Sequence, residues 1–318
     1  MRQCIEAFIS DVCAGKDNET PSAYRAKLAR LHRWMDVHQL QICNFAYPHL
    51  DEFRRSLLDQ NVVMRGRRLV PGKLSPFTIH TVLRTVKHFL TWLHRNGHLS
   101  FDPSPFRIAP PPRPDPKAVS AENALCLFHV ASRFGEPWEQ ARNLAMLYML
   151  RDTAGRISAI LKADIDNVDL CIGKVMVREK GDKPHVLYIN NPAIQAILVW
   201  LKYRPSLQPK DNTLFISQRG TALKRSGFHS IMMRLKTAAC LEGRGRVNAH
   251  AFRHAWVRDA LQSGEDLSKV SQTLAHSTIR VTSDYYARWA DRELKDAHSI
   301  FSPGASLPII TPADKPIE

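Results

Sequence analysis

Apolar residues at helical spacing mark the N-terminal third of the chain as a helical region. Ile5, Phe8, Ile9 and Val12 recur at positions i, i+3, i+4 and i+7, as the buried face of a helix does. The same spacing predicts three further helices, whose apolar positions are Tyr24, Leu28, Leu31 and Met35, then Phe53, Leu57 and Leu58, then Ile79, Val82, Leu83, Val86, Phe89, Leu90 and Leu93. We therefore predict a helical domain over residues 1–108.

Helix-end signals and prolines divide the chain further. Thr20 precedes Pro21 and is the expected N-cap of the second helix, and Gly97 is expected to end the fourth. Five prolines occur in A-P-P-P-R-P-D-P, which cannot be helical, so residues 109–119 are predicted to be an extended linker. Residues 302–318 are also rich in proline and are expected not to fold by themselves.

After the linker, helical and strand patterns alternate, which indicates a second domain over residues 120–301. Ser120 is the expected N-cap of a helix that runs to about Phe134. The segments V-M-V-R-E-K and H-V-L-Y-I-N alternate around Gly181 and Asp182, as the strands and turn of a β-hairpin do. The predicted fold class is mainly α with a small antiparallel β-sheet, a helical domain followed by a mixed α/β domain.

The charge of the chain favours a polyanionic partner. Its 318 residues include 45 Lys plus Arg against 30 Asp plus Glu, which gives a net charge of +15 and a pI of about 9.8. DNA or RNA is a more natural partner for such a chain than a membrane surface, although a generally basic protein is the alternative. The six cysteines form no C-x-x-C motif and are predicted to be buried free thiols, so we expect a cytoplasmic protein without disulfides.

The candidate chemistry lies in the C-terminal half, as an ordered set of cations, proton carriers and one phenol. The set is Arg156, Lys180, His250, Arg253, His276 and Tyr285. No carboxylate pair or metal-ligand cluster accompanies it. His250 and His254 have the i, i+4 spacing of two zinc ligands, but the catalytic glutamate of H-E-x-x-H is missing, so we predict no metal and no cofactor. A cationic clamp on a phosphodiester with a tyrosine as nucleophile suits these residues.

These motifs resemble those of the tyrosine recombinases of the phage-integrase family, of the bacterial Xer-like or integrase type. The family's signature is Thr-Gly-x-Arg-x-Ser-Glu, a Gly-Lys-Gly hairpin, His-x-x-Arg-His, Leu-Gly-His-Ser and a tyrosine nine residues later. Here Lys180 follows Arg156 by 180 − 156 = 24 residues, and Tyr285 follows His276 by 285 − 276 = 9. Ala159 replaces the glutamate of the pattern, and L-A-H-S lacks its glycine.

The resemblance implies a role for each candidate. Two arginines would clamp the nonbridging phosphate oxygens, two histidines would donate to the phosphate or carry protons, and the lysine would protonate the leaving 5′ oxygen. Lys183 is the rival of Lys180. The count of nine selects Tyr285 over Tyr286 as nucleophile. Because Ala159 cannot support Arg156, another acid must do so, and Asp164 is the candidate.

The implied function is site-specific recombination of double-stranded DNA through a 3′-phosphotyrosyl intermediate, by a homotetramer without ATP or metal, and with room for accessory factors. The alternatives are a type IB topoisomerase-like enzyme and an inactive DNA-binding or architectural protein. The first domain would be a core-binding (SAM-like) domain, with phosphate contacts expected from Arg65, Arg67, Arg68, Arg84, Lys87 and Arg95. For the charged helix face among these, a merely solvated surface is the alternative. An amphipathic segment over 287–301 would dock on a neighbouring protomer, and the alternative is that it covers its own domain.

Overall fold

The computed structural model describes residues 1–14, 19–65, 68–112, 115–179, 181–275, 278–280, 282–283 and 286, with the backbone alone at residues 19, 64, 65, 68 and 69. It divides into two compact units, Met1–Arg113 and Pro114–Glu318. The division falls inside the proline-rich segment. Each unit has its own hydrophobic core.

The described residues of the first unit form four α-helices, as the apolar spacing predicts. They are α1 (Arg2–Val12), α2 (Glu19–Val37), α3 (Tyr47–Asp59) and α4 (Pro76–Arg95). Ser75 caps α4, because its hydroxyl accepts a hydrogen bond from the amide of Thr78. The N-cap prediction for Thr20 is wrong, since α2 already includes that residue, and Leu58 is exposed rather than buried.

A β-hairpin that the apolar pattern does not predict lies between α3 and α4. Its strands are β1 (Val62–Arg65) and β2 (Arg68–Pro71), paired antiparallel. The basic segment from Met64 to Lys73 therefore contains strand β2 and the end of β1. Four-residue strands carry too few alternating positions to be recognised, and the cations around their turn hide the apolar ones.

The second unit contains seven helices among its described residues. They are α5 (Ala121–Ala131), α6 (Pro137–Thr153), α7 (Ile157–Ile160), α8 (Asn191–Tyr203), α9 (Arg225–Ala238), α10 (Ala249–Gln262) and α11 (Leu267–Thr273). Ser120 caps α5, as predicted, by accepting from the amide of Asn123. The core of this unit includes Trp200, Phe215 and Phe252, which are fully buried.

A three-stranded antiparallel sheet lies between α7 and α8 in the sequence. Its strands are β3 (Val168–Asp169), β4 (Lys174–Glu179) and β5 (Lys183–Tyr188), in the order β3-β4-β5. The predicted hairpin is confirmed, with Glu179 opposite Lys183 at the turn. Val175 and Val177 face the core from β4, and Glu179 continues the same inward face.

The cysteine side chains differ from the prediction in their burial. All six cysteines are free, but only Cys13 is buried, and Cys43, Cys171 and Cys240 are exposed. The prediction of buried thiols therefore holds only for Cys13, because apolar sequence neighbours do not fix which face a residue occupies. None of the described helices is long and apolar enough to cross a membrane.

Candidate active site

A sharp turn at the end of α6 presents the first candidate, Arg156. The side-chain oxygen of Thr153 accepts a hydrogen bond from the amide of Gly155, and Ala154 between them adopts a left-handed conformation with φ of 51°. A Cβ at Gly155 would lie 2.9 Å from the end of the Leu187 side chain, which would have to shift to admit a larger residue. The turn places Arg156 at the N-cap of α7 with its guanidinium partly exposed.

The acidic partner of Arg156 is Glu179, the last residue of β4. The guanidinium Nη1 donates to the Glu179 carboxylate over 2.6 Å, and the glutamate side chain is only 5% exposed. The expectation that Asp164 supports Arg156 is therefore wrong. Asp164 instead pairs through its backbone with Thr213. Ala159, where the family pattern has the acid, lies buried in the core.

The second candidate arginine, Arg253, lies on α10 and is buried. Its guanidinium donates to the carbonyl oxygens of Ala154 and Leu274, over 2.6 and 2.7 Å. Burial lowers the pKa of Arg253 to about 10 and Arg156 lowers it too, while Tyr286 and Glu179 act in the opposite direction. Arg253 therefore remains a cation at neutral pH, and it joins the turn before Arg156 to the segment that leads to His276.

His250 lies one helical turn before Arg253, at the solvent-exposed start of α10. Desolvation lowers the pKa of its imidazole, and the cations Arg253, Arg225 and Arg156 lower it further. The ring is therefore neutral at pH 7 and can both donate and accept a hydrogen bond. Arg156 and Arg253 both lower the pKa of His250, and Arg156 also lowers that of Arg253, so these three of the six predicted residues share one electropositive site.

Tyr286 is buried against the same site. Its hydroxyl lies 2.7 Å from Nδ1 of His254, and its ring packs in the cluster that contains Ala154 and Leu274. Burial lowers the pKa of His254 to about 4, and His250, Arg253 and Arg246 contribute in the same direction. His254 is therefore a neutral hydrogen-bonding partner for the phenol.

Comparison with known proteins agrees with these motifs. Residues 119–293 match the phage integrase family. The chain is 32% identical over 290 residues to the tyrosine recombinase XerC of Pseudomonas fluorescens, covering 90% of this chain and 91% of that one. It is 32% identical over 206 residues to XerC of Pseudomonas syringae pv. syringae, covering 64% and 67%. The chain belongs to the phage integrase family of tyrosine recombinases.

Solved tyrosine recombinases share the fold. The structure of the XerH site-specific recombinase bound to a palindromic difH substrate matches with a TM-score of 0.69 and 19% identity, over 92% of this chain and 84% of that one. The Tn1549 transposon integrase in complex with transposon right end DNA matches with a TM-score of 0.66 and 16% identity, over 92% and 98%. At these identities the likeness concerns the fold.

Three residues that complete the family motif, Lys180, His276 and Tyr285, lie outside the described residues. Their roles stay predictions. Residues close to two of them in the sequence do contact the site. Glu179, which precedes Lys180, pairs with Arg156, and Leu274, two residues before His276, accepts a hydrogen bond from Arg253.

The predicted DNA contacts of the first unit divide into three groups. Arg67 lies outside the described residues, as do the side chains of Arg65 and Arg68. Arg84 and Arg95 are exposed on α4. The ammonium of Lys87 donates to the carbonyl oxygens of Ser104 and Phe106, over 2.7 and 2.8 Å. Lys87 thus holds the segment after α4, and a phosphate would have to share its ammonium with these carbonyls.

No group of three or more His, Cys, Asp and Glu side chains within the described ranges is arranged to hold a metal ion. Sequence reasoning missed three contributors to the site. Glu179 could have been found, because a carboxylate stands at the inward-facing end of an otherwise apolar strand pattern. Arg225 and Arg246 belong to other segments and carry no sequence signal for their proximity to the histidines.

Proposed function

We infer that this protein catalyses site-specific DNA recombination by cleaving and rejoining DNA strands. The observation that carries this function is the electropositive site formed by Arg156, His250 and Arg253, from two separate motifs of one family. The relatives of 32% identity are named tyrosine recombinases. The solved XerH, whose fold is shared, is described as a post-cleavage complex on its difH substrate.

The reaction follows from the chemistry of such a site. A tyrosine hydroxyl attacks the phosphorus, the bond from phosphorus to the 5′ oxygen breaks, and a 3′-phosphotyrosyl link forms. The two arginines stabilise the charge that grows on the nonbridging oxygens, where guanidinium groups fit best. Lys180 is proposed to protonate the departing 5′ oxygen. A 5′ hydroxyl of another strand then reverses the step, so the bond energy is retained and no ATP is consumed.

We propose Tyr286, rather than its neighbour Tyr285, as the nucleophile. The hydroxyl of Tyr286 is held by His254, one residue after Arg253, and the phenol acts electrostatically on that arginine. Its ring packs in the same hydrophobic cluster as Ala154, which lies in the turn that presents Arg156. These contacts support a phenol stored beside the phosphate clamp, whereas Tyr285 rests on the count of nine residues alone.

In its buried position, Tyr286 is 3% exposed, so it cannot reach a DNA phosphate there. We propose that DNA binding and assembly release the phenol from His254 and turn it toward the scissile phosphate. The protein alone would then hold its nucleophile in a protected state. A neutral His254 suits that role, because it binds the phenol without a charge that would compete with the clamp.

The first unit is proposed to bind the duplex through its phosphates. Arg84 and Arg95 support this role, because both lie exposed on α4. Phosphate contacts position a protein on DNA without selecting its sequence. We expect the protein to act in the cytoplasm, where its DNA substrate lies.

We further propose that four copies assemble on DNA, with room for accessory factors. A groove of about 750 Å³ in the second unit is lined by residues of α6, α8, α10 and α11, among them Tyr148 and Trp256. Its rim carries both signs of charge, including Arg151, paired with Asp259. The segment 287–301 has apolar positions at helical spacing and both signs of charge, so the same segment of a second copy suits this groove.

The function is tested with a duplex that carries a nick close to the cleavage site. After cleavage, the short fragment with the new 5′ hydroxyl diffuses away, so religation is prevented and the covalent protein–DNA adduct is trapped. Adduct formation in the presence of a chelator and without ATP is the expected result. A protein that binds this DNA but forms no adduct on any target site would support the inactive architectural alternative. A protein that relaxes supercoils at random sites would support the topoisomerase-like alternative. Neither alternative is favoured by the relatives, which are named recombinases.

A further inference from the structure

The ion pair between Arg156 and Glu179 is asymmetric in its burial. The side chain of Arg156 is 32% exposed and that of Glu179 only 5%. The arginine can therefore face a bound phosphate while the glutamate holds it from behind. A charge-assisted hydrogen bond of 2.6 Å fixes the direction of the guanidinium, on which paired contacts to phosphate oxygens depend.

The position of Glu179 in its strand has no explanation in packing. Residues Val175, Val177 and Glu179 alternate on the inward face of β4, so the third position calls for an apolar side chain. Burying a carboxylate there is costly. Its second oxygen, Oε1, is also buried and has no hydrogen-bond partner within the part of the chain that the structure describes. A carboxylate kept in such a place indicates a role beyond stability.

Two departures from the family's motifs meet at this ion pair. The acid three residues after the arginine is replaced by Ala159, which lies in the core. The glycine before the hairpin lysine is replaced by Glu179. One carboxylate is lost from α7 and another is gained on β4, and the gained one contacts the arginine that the lost one would have supported.

We propose that Glu179 is the positioning residue for Arg156, and that it replaces the missing acid at Ala159 while tying the lysine-bearing hairpin to the arginine. Since Glu179 directly precedes Lys180, the Glu179 side chain then sets the distance between Arg156 and the hairpin turn. This inference rests on the proposed function, because the arginine matters only if a phosphate is cleaved.

The experiment measures single-turnover adduct formation on the nicked duplex at saturating protein, together with DNA affinity and the melting temperature. Glu179→Gln removes the charge and keeps the shape, and it is expected to slow cleavage by about 10- to 100-fold, the loss of one charge-assisted hydrogen bond. DNA affinity is expected to stay within about twofold, because the phosphate contacts remain. Asp182→Asn is the matched control: it removes the same charge from the same hairpin, where an exposed pair with Arg178 contributes little.

Two further variants separate positioning from folding. Glu179→Met fits the apolar pattern of the strand and is expected to melt no lower than the wild type, yet to cleave as slowly as Glu179→Gln. In a double-mutant cycle, Glu179→Gln is expected to add little to the loss caused by Arg156→Lys, because both act on the same guanidinium.

Wild-type cleavage rates in Glu179→Gln and Glu179→Met, additive losses in the cycle, or failure of both variants to fold would each overturn the proposal. If the wild type itself forms no adduct, the proposed function fails first. If the wild type cleaves and the variants cleave equally well, only the role of Glu179 fails.

Discussion

At the scale of single residues, Arg253 is the structural centre of the site. The sequence predicts a phosphate clamp for it, but not that its guanidinium binds the carbonyl oxygens of Ala154 and Leu274. No local pattern encodes such contacts, because their partners lie about 99 and 21 residues away in the chain. Arg253 thus connects the turn before Arg156 with the segment before His276.

This arrangement predicts different behaviour for the two arginines. Arg156→Lys and Arg253→Lys should each slow adduct formation by about 10²- to 10³-fold, because an ammonium cannot make paired planar contacts. Only Arg253→Lys should also lower the melting temperature clearly, because it disrupts two buried hydrogen bonds. Rates measured well below both melting temperatures check this. Cleavage by Arg156→Lys within a few-fold of the wild type would remove Arg156 from the clamp.

The lowered pKa of His254 predicts that the free energy of unfolding depends on pH. Its pKa is about 4 in the folded protein, against an ordinary value of 6.5. Between these values the unfolded chain binds the proton more readily, so the free energy of unfolding falls as the pH falls from about 6.5 to 4. Above pH 6.5 the group has no effect. The comparison is with His254→Asn, which keeps a polar partner for Tyr286 but cannot ionise.

Chemical denaturation of both proteins between pH 7 and 5 measures this difference. The wild type should lose stability more steeply than His254→Asn as the pH falls. Parallel curves would mean that His254 is not the group responsible. His250, whose pKa is also lowered, is present in both proteins and cancels in the comparison.

At the scale of elements, the apolar pattern predicts long helices and strands of about six residues, but not strands of four residues. The twenty residues of α4 and the hairpin of β4 and β5 follow from their apolar patterns. The hairpin of β1 and β2 does not, because four-residue strands give no usable period. The same limit applies to Lys87, which looks like part of a charged helix face but binds carbonyl oxygens of the following segment.

The hairpin of β4 and β5 gives a prediction about Lys180, which lies between the two strands. Lys180→Ala should slow cleavage of an ordinary phosphodiester by about 10²- to 10⁴-fold, the usual contribution of a general acid. A substrate with sulfur in place of the bridging 5′ oxygen should restore most of the rate, because a thiolate leaves without a proton. Lys183→Ala is the matched control and should behave like the wild type on both substrates. If Lys183→Ala were instead the slow variant and the sulfur substrate restored its rate, Lys183 rather than Lys180 would be the general acid.

At the scale of the whole molecule, the family and the reaction follow from the sequence more fully than the site's details. Six motif residues in order identify the chemistry, and the net charge of +15 fits a DNA partner. The acid that supports Arg156 and the tyrosine held beside Arg253 required the structure. Both depend on which segments meet in three dimensions, as the contacts of Glu179 and Tyr286 illustrate.

Assembly gives a prediction at this scale. Truncation after Asp291 should leave the binding of one protomer to DNA nearly unchanged, but weaken larger complexes and strand exchange, because the segment proposed to dock on a neighbour is lost. Native gel shifts and a recombination assay between two target sites would measure both. A truncated protein that assembles and recombines at the full-length rate would contradict the proposed contact.

The central claim is that a tyrosine beside the arginine clamp becomes covalently attached to DNA. The most direct measurement traps the adduct on the nicked duplex, digests it, and locates the nucleotide-bearing peptide by mass spectrometry, in parallel with Tyr285→Phe and Tyr286→Phe. We predict a 3′-phosphotyrosyl link at Tyr286, loss of the adduct in Tyr286→Phe with DNA binding intact, and its persistence in Tyr285→Phe. A link at Tyr285 would contradict the assignment of the nucleophile, and the absence of any tyrosine-linked DNA would contradict the mechanism itself.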